Sequence, residues 1–158
     1  MTMVLYSDAF EHNGSIPRAF TCEGDDISPP LSWDGVPENA RSLVLIVDDP
    51  DAPDPDAPKM TWVHWVIYNL PPDTANLPEA VNLDQYAPAT LQGVNDWRRT
   101  GYGGPCPPIG THRYFHKLYA LDVKLQDLNK PTKSDLLQAM DGHILDQAEL
   151  IGTYQKTR

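Results

Sequence analysis

The chain has 158 residues, of which 41% are hydrophobic and 22% are charged. This balance suits one folded domain over residues 1–158 and excludes both long disorder and a membrane span. The formal net charge of −10 at pH 7 makes nucleic acids and anionic membrane surfaces unexpected partners, and stable membrane insertion is not predicted. The N-terminal residues have neither a basic segment nor an apolar core, so they predict no signal peptide and a cytoplasmic location.

Two cysteines, Cys22 and Cys106, occur in the chain. They are too few for a disulfide framework or a zinc site. Because thiols stay reduced in the cytoplasm, we expect both to be free. Each flanks a segment rich in glycine and proline, so we expect the two to lie near each other at one end of the fold.

Sixteen prolines separate short β-branched runs, a pattern typical of all-β sandwiches with long structured loops. Residues 43–47 form a continuous apolar run, which predicts a central strand buried on both faces. Residues 62–69 predict a second strand. Its alternation places two sets of side chains on opposite faces: Trp62, His64, Val66 and Tyr68 against Val63, Trp65 and Ile67.

Residues 112–122 predict the third main strand, with His112 and Tyr114 on one face and Arg113 on the other. Weaker strands are predicted at 4–6, around 31–33 and at 150–154. Residues 71–111 lack clear periodicity and predict a long ordered connection. Helical spacing occurs only near the C-terminus, where a capping box at 132–135 and Gly142 predict two short helices. The predicted fold is mainly β, an antiparallel β-sandwich with long Pro-rich loops and short C-terminal helices.

Three features could carry chemistry. Asp49 lies in a Pro-stiffened acidic segment that directly follows the central strand. A solvated acidic turn is the alternative, and a Ca²⁺ site is disfavoured because the EF-hand spacing is missing. The similar copy at 54–58 is predicted to be surface loop.

His64 and His112 each lie on a strand beside a Pro- or Gly-rich segment, where binding sites gather. Either could be a satisfied structural histidine. Together with Asp49 they could form a two-histidine, one-carboxylate metal site, but no spacing enforces it, and we predict neither a metal nor a cofactor. The loop at 103–110 is not a P-loop, yet its backbone N–H groups could form an anion-binding nest.

The ordered motifs resemble the phosphatidylethanolamine-binding protein family, whose animal members are also called Raf kinase inhibitor proteins. They are TCEG at 21–24, SPPLSW at 28–33, DPDAP at 49–53, HWVIYNLP at 64–71 and GTHRY at 110–114. They span nearly the whole chain, and its compact form resembles the bacterial and archaeal YbhB/YbcL branch. The resemblance implies a β-sandwich with a shallow pocket for phosphate, phosphoethanolamine or phosphorylated peptides.

The resemblance also implies a set of ligand-binding residues with no catalytic member. They are Asp49, Trp62, His64, Gly104, Pro105, Cys106, His112 and Tyr114. Gly104, Pro105 and Cys106 would supply backbone contacts, protonated His64 or His112 would hold phosphate oxygens, and Arg113 would point away.

We therefore predict a binding protein for a small phosphorylated ligand. The alternative is a regulatory protein that inhibits a kinase or protease through the pocket rim, and a homodimer is left open. A phosphoester hydrolase is disfavoured because no nucleophile with a base, and no set of metal ligands, can be identified. We therefore expect no enzymatic activity.

Overall fold

The computed structural model describes residues 2–86 and 88–157. The strands are Val4–Tyr6 (β1), Gly14–Ser15 (β2), Leu31–Asp34 (β3), Ser42–Ala52 (β4), Met60–Leu70 (β5), Asn76–Leu77 (β6), Leu91–Gln92 (β7), Thr111–Leu121 (β8) and Ile144–Gln155 (β9). One α-helix, α1, spans Lys133–Met140, and 3₁₀ turns span Arg18–Phe20 and Leu83–Tyr86. No helix in these described ranges is long and apolar enough to cross a bilayer.

The strands form two sheets that pack against each other. The small sheet has the order β1-β3-β6, and the large sheet has the order β2-β9-β8-β4-β5-β7. All described pairings are antiparallel except the short parallel pairing of β2 with β9. The predicted mainly β sandwich is therefore confirmed.

Strand β4 is the centre of the molecule. Leu43, Leu45 and Val47 face the small sheet, in a core that also contains Trp33. Val44 and Ile46 face the opposite side, where Leu136 and Met140 of α1 cover them. Residues 43–47 of β4 are apolar on both faces of the strand, and the two cores shield both faces from water. The sequence prediction of a strand buried on both faces is confirmed.

The C-terminal region differs from the prediction. The capping box is present, since Thr132 and Asp135 exchange side-chain and backbone hydrogen bonds at the start of α1. The predicted second helix is wrong, because residues 144–155 form β9, which pairs along the length of β8. Gly142, with φ +81°, turns the chain into that strand. Pairing with a long neighbouring strand outweighs the weak local helical spacing.

The cysteines also correct the sequence analysis. Cys22 and Cys106 form a disulfide with an S–S distance of 2.06 Å, so the prediction of free thiols is wrong. Their predicted proximity is confirmed, since the Cys22 N–H donates to Pro105 O at 3.1 Å and joins the two loops. The cytoplasmic location stays a prediction. Free thiols would have supported it, and the disulfide removes that support.

Candidate ligand-binding site

A cavity of about 400 Å³ opens near the 97–108 segment, where β4 ends and where β5 and β8 begin. Its lining residues are Asp49, Ala52, Pro53, Met60, Trp62, His64, Trp97, Cys106, Pro107, Pro108, His112 and Tyr114. Six of the eight predicted site residues are among them. The other two, Gly104 and Pro105, are buried behind the wall.

A second cavity of similar size, about 420 Å³, lies on the other side of the Pro107–Pro108 segment. It is lined by residues 107–110 and 155–157, and it contains none of the predicted site side chains. We therefore regard the cavity between the histidines as the candidate site.

Asp49 and His112 form a buried pair at the floor of the cavity. His112 Nδ1 lies 2.5 Å from Asp49 Oδ2, and Asp49 Oδ1 accepts from the Asp51 N–H at 2.7 Å. His112 Nε2 lies 2.9 Å from Ile109 O and 3.1 Å from Pro53 O. Burial raises the pKa of the Asp49 carboxyl. Both ring nitrogens of His112 thus have partners within the protein, and Asp49 positions that ring.

Asp51 and Arg113 hold the acidic segment from the other side. Arg113 Nε and Nη2 donate to the two Asp51 oxygens at 3.0 and 2.9 Å, and the Arg113 N–H adds a third bond. Arg113 is exposed on the face opposite His112 and Tyr114, as predicted. Because Asp49 and Asp51 are both buried, the solvated-turn alternative is wrong. The copy at 54–58 lies at the surface as expected.

A β-bulge aims His64 into the cavity. Val47 pairs with Trp65 but Asp48 pairs with Val63, so His64 is the extra residue on β5. The bulge ends the predicted alternation, because His64 then shares its side of the sheet with Trp65 while Val63 and Val66 face α1. Bulges commonly re-aim side chains beside binding sites. The face assignment from strict alternation is therefore wrong at this point.

His64 is neutral at physiological pH, which corrects the predicted protonated ligand donor. Its Nδ1 donates to Gly103 O at 2.7 Å. Burial lowers the pKa of His64 to about 4. The other nitrogen, Nε2, makes no hydrogen bond to a described protein group and is not sealed from the cavity. This nitrogen therefore presents a lone pair to a ligand.

Tyr114 provides a hydrogen-bond donor beside that lone pair. Its ring centroid lies 5.2 Å from that of His64 and 6.4 Å from that of His112. Burial and the nearby Asp49 carboxylate raise the pKa of the Tyr114 hydroxyl, so it keeps its proton. No described residue accepts from this hydroxyl, which also remains open to the cavity.

Within the predicted 103–110 nest, residues 103–108 do not offer successive free N–H groups to an anion. The Gly103 N–H donates to His64 O at 3.1 Å, and the Gly104 N–H donates to Asp26 Oδ1 at 2.8 Å. Proline has no N–H, so of these loop residues only Cys106 keeps an amide without a described acceptor. A Cβ on Gly104 would lie 2.4 Å from Phe20 O, so glycine is required for packing there.

Sequence reasoning missed Trp97, which lines the cavity beside the predicted Trp62. Trp97 packs edge-on against Trp62 at 5.6 Å and against His64 at 5.1 Å between ring centroids. It lies in the segment without periodicity, and its position depends on long-range bonds such as that from the Val63 N–H to Asp96. The one available signal was a tryptophan flanked by charged residues, Asp96 and Arg98, in a segment without periodicity.

No group of three metal-ligating side chains occurs among the described residues. His64 directs one nitrogen at a backbone carbonyl, and both nitrogens of His112 have protein partners. The geometry of these donors therefore suits hydrogen bonding more than metal coordination.

The family model described as phosphatidylethanolamine-binding protein matches residues 6–155. The chain belongs to the phosphatidylethanolamine-binding protein family. A UPF0098 protein of Methanothermobacter thermautotrophicus is 51% identical over 155 residues, covering 98% of this chain and 99% of that protein. A UPF0098 protein of Chlamydia trachomatis is 48% identical over 154 residues, with coverage of 98% and 99%.

Solved structures agree with this assignment. A putative phosphatidylethanolamine-binding protein homologue from Chlamydia trachomatis has a TM-score of 0.90 at 47% identity and 99% coverage of both chains. YbcL from Escherichia coli, described as a member of the mammalian family, has a TM-score of 0.86 at 27% identity, covering 99% of this chain and all of that one. The predicted resemblance to the YbcL type is confirmed.

Proposed function

We propose that this member of the phosphatidylethanolamine-binding protein family binds a small phosphorylated group between Tyr114 and His64. The observation that carries the proposal is the pair of unpartnered polar atoms, the Tyr114 hydroxyl and His64 Nε2, which open onto one cavity. A volume of about 400 Å³ suits a small molecule. Cys106 lines the same cavity, and its N–H has no described acceptor in the protein.

We propose binding without turnover. The described cavity lining contains no serine or threonine, and the Cys106 sulfur is held in a disulfide. Covalent phosphoryl transfer to a serine, threonine or cysteine side chain therefore has no support at this site.

The test is calorimetric titration with inorganic phosphate and with phosphoethanolamine. We expect saturable binding with one site per chain and no phosphate release from phosphoethanolamine. Tyr114→Phe should weaken both ligands about tenfold or more, because a hydrogen bond to a charged group is lost. His143→Gln, a change outside the cavity, is the matched control. Unchanged affinity in Tyr114→Phe, or release of phosphate by the wild-type protein, would contradict the proposal.

A second candidate is a regulator that binds a kinase or protease at the cavity rim. The favouring observation is the exposure of apolar side chains around the opening, with Met60 at 48% and Trp97 at 39%. A carboxypeptidase Y inhibitor shares the fold at 15% identity with a TM-score of 0.63. Inhibition of a purified protease that Met60→Asp abolishes would support this candidate over simple ligand binding.

A further inference from the structure

The polar atoms facing the cavity form an unusual set for an anion site. The Tyr114 hydroxyl is a donor, whereas His64 Nε2 is an acceptor because Nδ1 already donates to Gly103 O at 2.7 Å. An anion with no hydrogen of its own would place an oxygen lone pair against the nitrogen lone pair. A ligand that contacts both side chains must therefore bring a hydrogen to His64 and an acceptor oxygen to Tyr114.

The charge of the cavity leads to the same requirement. None of the described lining residues is a lysine or arginine. His112 Nε2 faces two carbonyl oxygens and so carries a hydrogen, and a second proton lies between Nδ1 and Asp49. The Asp49–His112 pair is then neutral overall, wherever that second proton resides. A dianion would enter a site with no compensating charge, in a chain of net charge −10.

We propose that the pocket selects phosphate groups that carry their own proton. This inference rests on the proposed function and specifies its ligand class: phosphomonoesters and inorganic phosphate in their monoanionic form. The P–OH donates to His64 Nε2, and an unprotonated phosphate oxygen accepts from Tyr114. Sulfate has the same shape but no proton, and a phosphodiester, the form found in an intact phospholipid, also has no P–OH.

Other titratable groups surround His64 and act on its charge. They come from two neighbouring strands and comprise Asp48 and Asp49 on β4 with His112, Tyr114 and His116 on β8. Asp48 is neutralised by Lys133 at 2.6 Å and Lys117 at 3.5 Å. Burial keeps the pKa of His64 at about 4, so His64 remains an acceptor from pH 5.5 upward.

The test compares four probes by calorimetry: inorganic phosphate, phosphoethanolamine, sulfate and glycerophosphoethanolamine. The second ionisation of a phosphomonoester lies near 6, and that of inorganic phosphate lies higher. At pH 5.5 we therefore expect the first two probes to bind about tenfold or more tightly than the last two. Raising the pH to 8 converts the monoesters to dianions and should remove most of this advantage. Sulfate, a dianion throughout, should stay weak at both pH values.

Two variants test whether His64 causes the preference for phosphate over sulfate. His64→Gln should reduce the ratio of phosphate to sulfate affinity, because a glutamine amide can donate as well as accept. Tyr114→Phe should weaken every probe and leave that ratio unchanged. Thermal melts of both variants check that they fold, and the wild-type ratio is informative without them.

Each outcome discriminates. If neither phosphate nor phosphoethanolamine binds, the proposed function and this inference both fail. If phosphate binds but sulfate or glycerophosphoethanolamine binds equally well at pH 5.5, the proposed function stands and this inference is overturned. A monoester affinity that rises from pH 5.5 to 8 would also overturn it.

Discussion

His64 and His112 occupy similar places in the sequence, on strands beside loops rich in proline and glycine. Their ring nitrogens have different partners in the structure. His112 is used entirely within the protein, between Asp49, Pro53 and Ile109. His64 leaves Nε2 for a ligand. We therefore expect His64 to contact a ligand directly and His112 to position the floor of the site.

We expect His112→Ala to destabilise the protein strongly. It removes the partner of a carboxylate that is only 3% exposed, and breaking a buried pair costs about 3–5 kcal/mol. Urea denaturation should show this loss. The matched control is His143→Ala, which breaks the surface pair of His143 with Asp122 and should cost less than about 1 kcal/mol. Equal stability of the two variants would contradict the structural role of His112.

At the scale of elements, the site depends on irregularities in long strands and on two cross-linked loops. The bulge in β5 turns His64 toward the cavity, and the 103–108 loop supplies both the Gly103 carbonyl and the Cys106 wall. The disulfide joins this loop to the loop that contains Cys22. Asp26 adds a hydrogen bond to Gly104 in the same place.

Removing the disulfide should lower stability substantially. The bond closes a loop with a sequence separation of 84 residues. The lower chain entropy of the cross-linked unfolded state then predicts a stabilisation of about 4.5 kcal/mol. The measurement is urea denaturation of a protein with both Cys22→Ser and Cys106→Ser. Wild-type protein treated with a dithiol reductant should have the same free energy of unfolding as this double variant. Identical stability of oxidised and reduced wild-type protein would contradict this expectation.

At the scale of the whole molecule, buried histidines make the fold sensitive to acid. Burial lowers the pKa values of His64 and His116 to about 4 each, below the value near 6.5 of an unfolded chain. Above pH 6.5 both states hold these rings neutral. Below it, the unfolded state takes up protons that the folded state does not, so stability falls as the pH drops.

We therefore expect the free energy of unfolding to decrease from pH 6.5 toward pH 4, by roughly 3 kcal/mol for each of the two histidines. The raised pKa of Asp49 acts in the opposite sense and reduces the total. Urea titrations at pH 7, 5.5 and 4.5 measure the slope. In His64→Gln the decrease should be about half as large, and a stability independent of pH in the wild-type protein would contradict the prediction.

Local sequence patterns determined the strands and most of the site membership. The apolar run at 43–47 and the alternation at 112–118 can be read from the order of side chains alone. Both appear as predicted, in β4 and β8. Residues that the family resemblance implied, among them Asp49, His64, Cys106, His112 and Tyr114, likewise converge on one cavity. These features follow from contacts that are local in the chain or from ordered motifs that can be read directly.

Tertiary structure decided the features that depend on distant partners. The β5 bulge exists because β4 sets the register, and β9 is a strand because β8 offers a long ladder. The Cys22–Cys106 bond requires two loops to meet that are far apart in the chain. The charge state of His64 depends on burial and on the Gly103 carbonyl. Burial, register and loop contact are set by the whole fold, so no local pattern encodes them.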